Sequence, residues 1–208
     1  DDSVKKVMAV NQTNKINCTM KLRFIFSVLI HFVCAVSAAQ VPVFETVSTV
    51  FDPGSALPGT HYATTRIPAL VCSKKGTLLA FCEARVQNAS DWADMDILLR
   101  RSTDGGKTWL PTQVFAAREP KTPTSNCTPI VDADGRTIHV LYQRGYSRCF
   151  YVKTTDEGAT WSAPMDITAT FERFRPEYNF KVLAPGPGHA IQLSKGKNKG
   201  RLVVPVWL

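Results

Sequence analysis

The sequence Ser102-Thr103-Asp104-Gly105-Gly106-Lys107-Thr108-Trp109 returns 52 residues later as Thr154-Thr155-Asp156-Glu157-Gly158-Ala159-Thr160-Trp161. In such a turn an aspartate accepts hydrogen bonds from backbone amides, a glycine permits positive φ, and a tryptophan packs beneath the turn. We therefore interpret both copies as structural turns without a role in chemistry. Their shared residues are Asp104, Gly106 and Trp109 in the first copy, and Asp156, Gly158 and Trp161 in the second.

A repeat of this length predicts a repeat architecture, because about fifty residues correspond to one four-stranded blade of a β-propeller. Polar turns separate short apolar runs, which predict strands at 69–72, 77–81, 96–100, 130–131, 137–142, 149–153 and 201–207. After residue 39, no stretch of a dozen residues keeps a helical period of 3.6. We expect an all-β domain over 40–208, with room for about three blades. A closed propeller needs more blades than that, so we expect a truncated ring.

The amino-acid composition excludes several classes of protein. Hydrophobic residues make up 44% and charged residues 20% of the 208 residues, which excludes a disordered or collagen-like chain. The net charge is +8, but the sequence contains no run of Lys and Arg longer than two. A nucleic-acid partner is therefore not favoured, and an anionic small substrate fits the charge equally well. No His or Cys pair has metal-ligand spacing, and we predict neither a metal nor a cofactor.

The N-terminal region has the pattern of a targeting segment. Residues 20–23 are basic, 24–36 are apolar, and 37–39 are small, which predicts a secretory signal peptide over 20–39 with cleavage before Gln40. A hydrophobic N-terminal helix is the alternative. Residues 1–19 form an upstream extension of unclear status. We expect a secreted or periplasmic protein without stable membrane insertion after cleavage, or a lysosomal or membrane-associated one if the source is eukaryotic.

Four cysteines follow the predicted cleavage site. Each lies in an apolar, strand-like context, so we expect core thiols, although disulfides remain open after export. They are Cys72, Cys82, Cys127 and Cys149.

The two turns resemble the Asp-box of sialidases, and the resemblance extends through nearly all of 61–208. Five further segments look similar to that family. They are Thr65-Arg66-Ile67-Pro68, Ser90-Asp91-Trp92-Ala93-Asp94, Asn126-Cys127-Thr128-Pro129, Tyr146-Ser147-Arg148-Cys149 and Gly186-Pro187-Gly188-His189. The resemblance implies a six-bladed β-propeller of the sialidase type, of which about the first three blades are present.

The resemblance also implies two principal site residues. Arg66 would grip the carboxylate of sialic acid, since a guanidinium offers a planar, permanently charged pair of donors. Asp91 would be the general acid and base, protonating the leaving oxygen and later deprotonating water. Partial desolvation by Trp92 would favour its acid form. Asp94 and Asp96 are competing carboxylates, which we interpret as a loop-bracing and a structural residue.

The resemblance assigns roles to four further positions, and two of these have a stated alternative. Arg85 would contact the sugar, or pair with a neighbouring carboxylate, and Glu83 would orient an arginine. Asn126 would lie near the substrate at the rim of the second blade. Trp207 would line the pocket or be a core tryptophan.

The implied reaction is the release of terminal sialic acid from sialylated glycans with retention. The family uses a tyrosine nucleophile activated by a glutamate, together with two further arginines, and the resemblance places all of these in later blades. The tyrosines of this chain do not fall in that motif. The alternative function is a non-catalytic Asp-box propeller that binds glycans or proteins.

Overall fold

The computed structural model describes residues 48–208. The predicted signal peptide over 20–39 and the extension over 1–19 lie outside the described residues, as does the proposed boundary at Gln40. Among the helices of the described part, none has the length and apolar character needed to span a membrane.

Two four-stranded antiparallel sheets follow each other along the chain, each a simple meander. They confirm the predicted all-β fold, and a single helical turn, α1, interrupts it. The first sheet contains β1 (Thr64–Cys72), β2 (Leu78–Arg85), β3 (Met95–Ser102) and β4 (Gln113–Ala116). The second contains β5 (Thr124–Val131), β6 (Ile138–Arg144), β7 (Arg148–Thr154) and β8 (Met165–Asp166), and α1 (Ala169–Glu172) comes next.

A third, irregular hairpin ends the chain. It contains β9 (Ala184–Pro185), β10 (Ile191–Gln192), β11 (Leu202–Val203) and β12 (Val206–Trp207). β9 pairs with β12 and β10 pairs with β11, both in antiparallel orientation. The prediction of one continuous strand over 201–207 was wrong at its centre. Pro205 has no N–H to donate, so the ladder breaks there. Its carbonyl still accepts a hydrogen bond from the Gly186 amide at 2.9 Å.

The first strands of the three units begin at Thr64, Thr124 and Ala184, so the blade repeat is 60 residues. The bulges of β1 and β5 lie between Arg66 and Ala69 and between Ser125 and Thr128. One residue in or directly after each of these first strands has a left-handed backbone conformation. Its φ is 50° at Ile67, 57° at Asn126 and 74° at Gly186. A bulge re-aims the side chains next to it, which makes this edge of each blade suitable for a site.

The two complete blades share one apolar core. On β2, β3, β6 and β7, alternate residues point between the sheets, as the two-residue side-chain period of a strand requires. Trp161, from the second repeated turn, packs edge-on against Phe115 of the first blade with ring centroids 4.9 Å apart. The other buried members include Leu79, Phe81, Ile97 and Leu99 from the first blade and Ile138, Val140, Tyr142 and Val152 from the second.

The repeated turns are closed by their own side chains. Asp104 accepts hydrogen bonds from the amide and the hydroxyl of Thr108, and Asp156 accepts the same pair from Thr160. Ser102 pairs with Leu78, at the end of the sheet opposite to Arg85. These turns therefore lie away from the edge that carries the bulges.

The thiol expectation holds for three of the four cysteines. Cys82, Cys127 and Cys149 are buried and free, and burial raises the pKa of Cys82 and of Cys149 to about 12. Cys72 is exposed, so the expectation of a core thiol was wrong there. It is the last residue of β1, an edge strand, and pairs with Leu78 at the end of the sheet where the turn to β2 begins.

Candidate active site

Arg66 lies on the exposed edge of the first blade, just before the bulge of β1. Its partner in the β1–β2 register is Glu83. Nearly half of its side chain, 47%, remains accessible. Its Nη1 donates to the carbonyl oxygen of Ala89 at 3.1 Å and lies 3.7 Å from Oδ1 of Asp91. The strand therefore presents a tethered guanidinium that still faces solvent.

Asp91 is carried by the loop that joins β2 to β3. A hydrogen bond of 2.9 Å from the Val86 amide to the Asp94 carbonyl closes the base of this loop. Arg85 Nη2 forms an ion pair with Asp91 Oδ1 at 2.7 Å, yet 61% of the Asp91 side chain is exposed. The carboxylate is thus fixed through one oxygen and accessible to a ligand.

Arg66, Glu83, Arg85 and Asp91 form a charged cluster. Arg85 is its buried centre, with 1% of its side chain exposed. Its Nη2 is shared between Glu83 Oε2 and Asp91 Oδ1, both at 2.7 Å, while its Nη1 donates to the carbonyl of Ala89. Arg85 therefore pairs with neighbouring carboxylates, as in the stated alternative. A contact between Arg85 and the sugar stays a prediction.

Glu83 is buried beneath Arg85 and reaches across to the second blade. Its Oε1 accepts the backbone N–H of Asn126 at 3.0 Å, and its Oε2 accepts from Arg85. Burial raises the pKa of Glu83, and the hydrogen bonds from Arg85 and Asn126 oppose that rise. Burial alone would lower the pKa of Arg85, but Glu83 and Asp91 outweigh it and the pKa is raised. The pair is an internal ion pair of the site.

Asn126 is brought to this cluster by its backbone. Its left-handed conformation turns the N–H toward Glu83, while its side-chain Oδ1 accepts from the hydroxyl of Ser125 at 2.9 Å. Only 8% of Asn126 is exposed. The structure therefore places Asn126 against the site residues of the first blade and gives its side chain an internal partner.

Trp92 does not shield Asp91, contrary to our expectation. The indole is 65% exposed and packs against Tyr146 with ring centroids 4.9 Å apart. Tyr146 also donates its hydroxyl to the backbone carbonyl of Asp91 at 3.3 Å. The Trp92 indole therefore packs against the neighbouring blade, and the Asp91 carboxylate stays 61% exposed.

The competing carboxylates have structural partners. Asp94 accepts from the Lys121 amide at 2.7 Å and from Gln87 Nε2 at 3.1 Å, which braces the loop. Asp96 is buried and accepts from the hydroxyl of Tyr62 and the amide of Arg118, both at 2.6 Å. Both arrangements agree with our interpretation of these residues.

Trp207 is brought neither into the core nor to Asp91. It pairs with Ala184 in the third hairpin and is 63% exposed, so it is not the core tryptophan of our alternative. It lines a cavity of about 320 Å³ with Tyr178, Asn179, Lys181, Val182 and Leu208. That lining contains none of the cluster residues.

Two contributors to the site were missed by sequence reasoning. The carbonyl of Ala89 accepts from both arginines, and Tyr146 supports the Asp91 loop. A backbone acceptor leaves no sequence signal. Within residues 48–208, no group of three or more His, Cys, Asp or Glu side chains is placed to hold a metal ion.

The cluster combines an accessible cation with an accessible carboxylate on one edge. Such a pair can bind an anionic ligand through Arg66 while Asp91 exchanges a proton with it. Arg85 and Glu83 hold the carboxylate from beneath.

Comparisons with known proteins agree with this architecture. Residues 67–208 match a family model described as a BNR repeat-like domain. An exo-alpha-sialidase of Arthroderma benhamiae is 29% identical over 74% of this chain and 43% of its own length. Sialidase-2 of Cricetulus griseus is 32% identical over 81% of this chain and 47% of its own length. The chain thus spans under half the length of these curated relatives.

Among solved structures, a leech intramolecular trans-sialidase complexed with 2,7-anhydro-Neu5Ac superimposes with a TM-score of 0.65 and 16% identity, covering 79% of this chain and 43% of that one. This likeness shows the fold, and it confirms a partial propeller of the sialidase type. The resemblance to sialidases noted in the sequence is also confirmed by the curated relatives. Because the family model covers residues 67–208, more than half of the sequence, this chain belongs to the BNR repeat-like domain family.

Proposed function

We propose that the protein carrying this chain is an exo-alpha-sialidase that hydrolyses terminal sialic acid from glycoproteins, glycolipids or oligosaccharides with retention. The observation that carries the proposal is the 3.7 Å separation between the Arg66 guanidinium and the Asp91 carboxylate, both of them accessible. Sialic acid has a carboxylate and a glycosidic oxygen on the same anomeric carbon. A cation and a proton donor must therefore lie side by side to serve it.

In this proposal Arg66 binds the substrate carboxylate by charge-assisted hydrogen bonds. Asp91 donates its proton to the leaving oxygen as the glycosidic bond breaks, and then takes a proton from the water that releases the sugar. Arg85 holds Asp91 from below. The tyrosine nucleophile and its glutamate, which the family resemblance implies, are not assigned to residues of this chain.

A secreted or periplasmic location accompanies the proposal, since sialylated glycans are exposed outside cells. It rests on the signal-peptide pattern over residues 20–39. Detection of the protein in the culture medium, with an N-terminus at Gln40, tests it. A cell-retained protein that keeps residues 20–39 would refute it.

Activity is tested by incubating the full-length protein with 3′-sialyllactose and following release of sialic acid by chromatography. NMR of the first product distinguishes the anomers, and we expect the α-anomer, because a retaining reaction preserves configuration. An oligosaccharide with only internal sialic acid is the control and should not be cleaved. Saturable binding of sialyllactose without any release would instead support the non-catalytic propeller.

A further inference from the structure

A buried carboxylate that the proposed reaction does not use lies directly under the proposed acid. Glu83 is 2% exposed and bridges Arg85 to the backbone of the second blade. A buried charge is expensive, so its presence calls for a reason. Packing alone would be satisfied by an apolar side chain of the same volume.

Both oxygens of Glu83 face donors. Oε2 accepts from Arg85 and Oε1 accepts from the Asn126 amide. A protonated carboxyl would need an acceptor at one of these oxygens, and the geometry provides none. Glu83 is therefore held as the carboxylate despite its burial.

The Arg85 guanidinium therefore interacts with two carboxylates, those of Glu83 and Asp91. Its Nη2 donates to Glu83 Oε2 and also lies next to Asp91 Oδ1, with both nitrogen–oxygen distances at 2.7 Å. With Glu83 ionised, the Glu83–Arg85 pair has no net charge. Asp91 is thus positioned by a guanidinium whose charge another carboxylate already balances.

We propose that Glu83 is a positioning residue that neutralises Arg85 from the buried side, so that Arg85 orients Asp91 without holding it permanently ionised. The inference rests on the proposed role of Asp91 as a proton donor. A proton donor bound to an unbalanced cation would keep its negative charge. Glu83 supplies the balance from a place that the substrate does not reach.

Among the described residues, the thiols and the phenol that interact with Glu83 or Asp91 are uncharged. Burial raises the pKa of Cys82 to about 12 and the pKa values of Cys127 and Tyr146 above their ordinary values, so these groups are neutral near pH 7. The titratable and charged groups facing Glu83 and Asp91 are Arg66 from β1, Cys82 and Arg85 from β2, Cys127 from β5 and Tyr146 from the β6–β7 turn.

The test is the pH dependence of kcat/KM in the full-length protein with Glu83→Gln. We expect the alkaline limb to move to lower pH by about one unit, because Asp91 then faces the whole charge of Arg85 across a partly solvated gap. Glu83→Asp keeps the charge and should keep the limb in place even if the rate falls. Equal loss at every pH in Glu83→Gln, with the limb unmoved, would overturn the proposal.

A second readout separates this inference from the activity itself. The side-chain carboxyl ¹³C resonance of Asp91 can be titrated without substrate, and its midpoint should fall in Glu83→Gln. Glu172→Gln, at the last residue of α1, breaks an exposed pair with Arg175 and should leave that midpoint unchanged. An unmoved midpoint in Glu83→Gln refutes the inference, whereas absence of turnover in the unmodified protein refutes only the proposed function.

Discussion

Arg66 of β1 lies next to Asp91 of the β2–β3 loop, with Nη1 of the arginine 3.7 Å from Oδ1 of the aspartate. They are joined through a third group, since the carbonyl of Ala89 accepts from Arg66 and from Arg85, and Arg85 binds Asp91. The distance is too long for a strong ion pair and leaves both groups open to a ligand. Two of the predictions below depend on this relationship.

Arg66→Ala should raise KM for sialosides by about 10- to 100-fold, because a hydrogen bond to a charged group contributes about 1.5–3 kcal/mol. The loss should be confined to substrates that retain the carboxylate. A methyl ester of the same sialoside should bind the variant and the unmodified protein with similar, weak affinity. Steady-state kinetics on the acid and the ester make this comparison.

Arg136→Ala is the matched control for Arg66→Ala. Arg136 lies in the β5–β6 turn, where its amide donates to Asp134, and its removal changes the net charge equally. KM should stay within about twofold, since a distant surface charge is screened. A similar rise in KM in both variants would mean that the general positive field, rather than Arg66, binds the substrate.

Asp91→Asn should lower kcat on sialyllactose by about 10²- to 10⁴-fold, the usual contribution of a general acid. Asparagine can still accept from Arg85 Nη2, so the loop should keep its position. The loss should be much smaller on an aryl sialoside, because a phenolate needs less protonation to leave. Equal losses on both substrates would contradict the role of a proton donor.

Asp94→Asn controls for damage to the loop. Asp94 braces the loop through Lys121 and Gln87, so the variant can lower activity through disorder. Disorder affects both substrates in the same proportion. Only a variant that removes the proton donor should change the ratio between sialyllactose and the aryl sialoside.

The sequence predicted the strands and the repeated turns because these depend on local pattern. Glu83 and Arg85 alternate on β2, so even their shared face could be read from the chain. Their burial could not, since it depends on the Asn126 amide, which arrives from the second blade through a left-handed bulge residue. The exposure of Trp92 has the same origin, because its partner Tyr146 lies 54 residues away in the sequence and on the next blade.

Gly158→Ala should destabilise the fold by about 2–5 kcal/mol. Gly158 has φ of 78°, and a Cβ there would lie 2.6 Å from Leu79 Cδ2 of the first blade. A left-handed L-residue costs about 1–2 kcal/mol, and overpacking adds about 1–3 kcal/mol. Urea denaturation followed by tryptophan fluorescence measures the free energy of unfolding.

Gly106→Ala separates the two contributions to that loss. Gly106 occupies the same place in the first repeated turn with φ of 89°, but its nearest neighbour, Leu78 Cδ1, would lie 3.4 Å from the new Cβ. This variant should show the backbone strain of about 1–2 kcal/mol without the overlap. If both variants lose the same amount, the second turn does not pack against the first blade as described.

Asp156 should make stability depend on acid. Hydrogen bonds from the Thr154 hydroxyl and from Thr160 lower the pKa of Asp156 to about 2 from an ordinary value of 3.8. The folded state therefore prefers the carboxylate more than the unfolded chain does. That stabilisation is fully present above about pH 4 and is lost as the pH falls toward 2.

In Asp156→Asn this contribution is absent at every pH. The difference in free energy of unfolding between the variant and the unmodified protein should be constant from pH 7 to 5 and should shrink between pH 4 and 2. Urea denaturation at fixed ionic strength follows the difference. Thr160→Val, which removes one donor to the carboxylate, should reduce the acid dependence partially. A difference that stays constant down to pH 2 would show that the turn does not depend on the ionised form of Asp156.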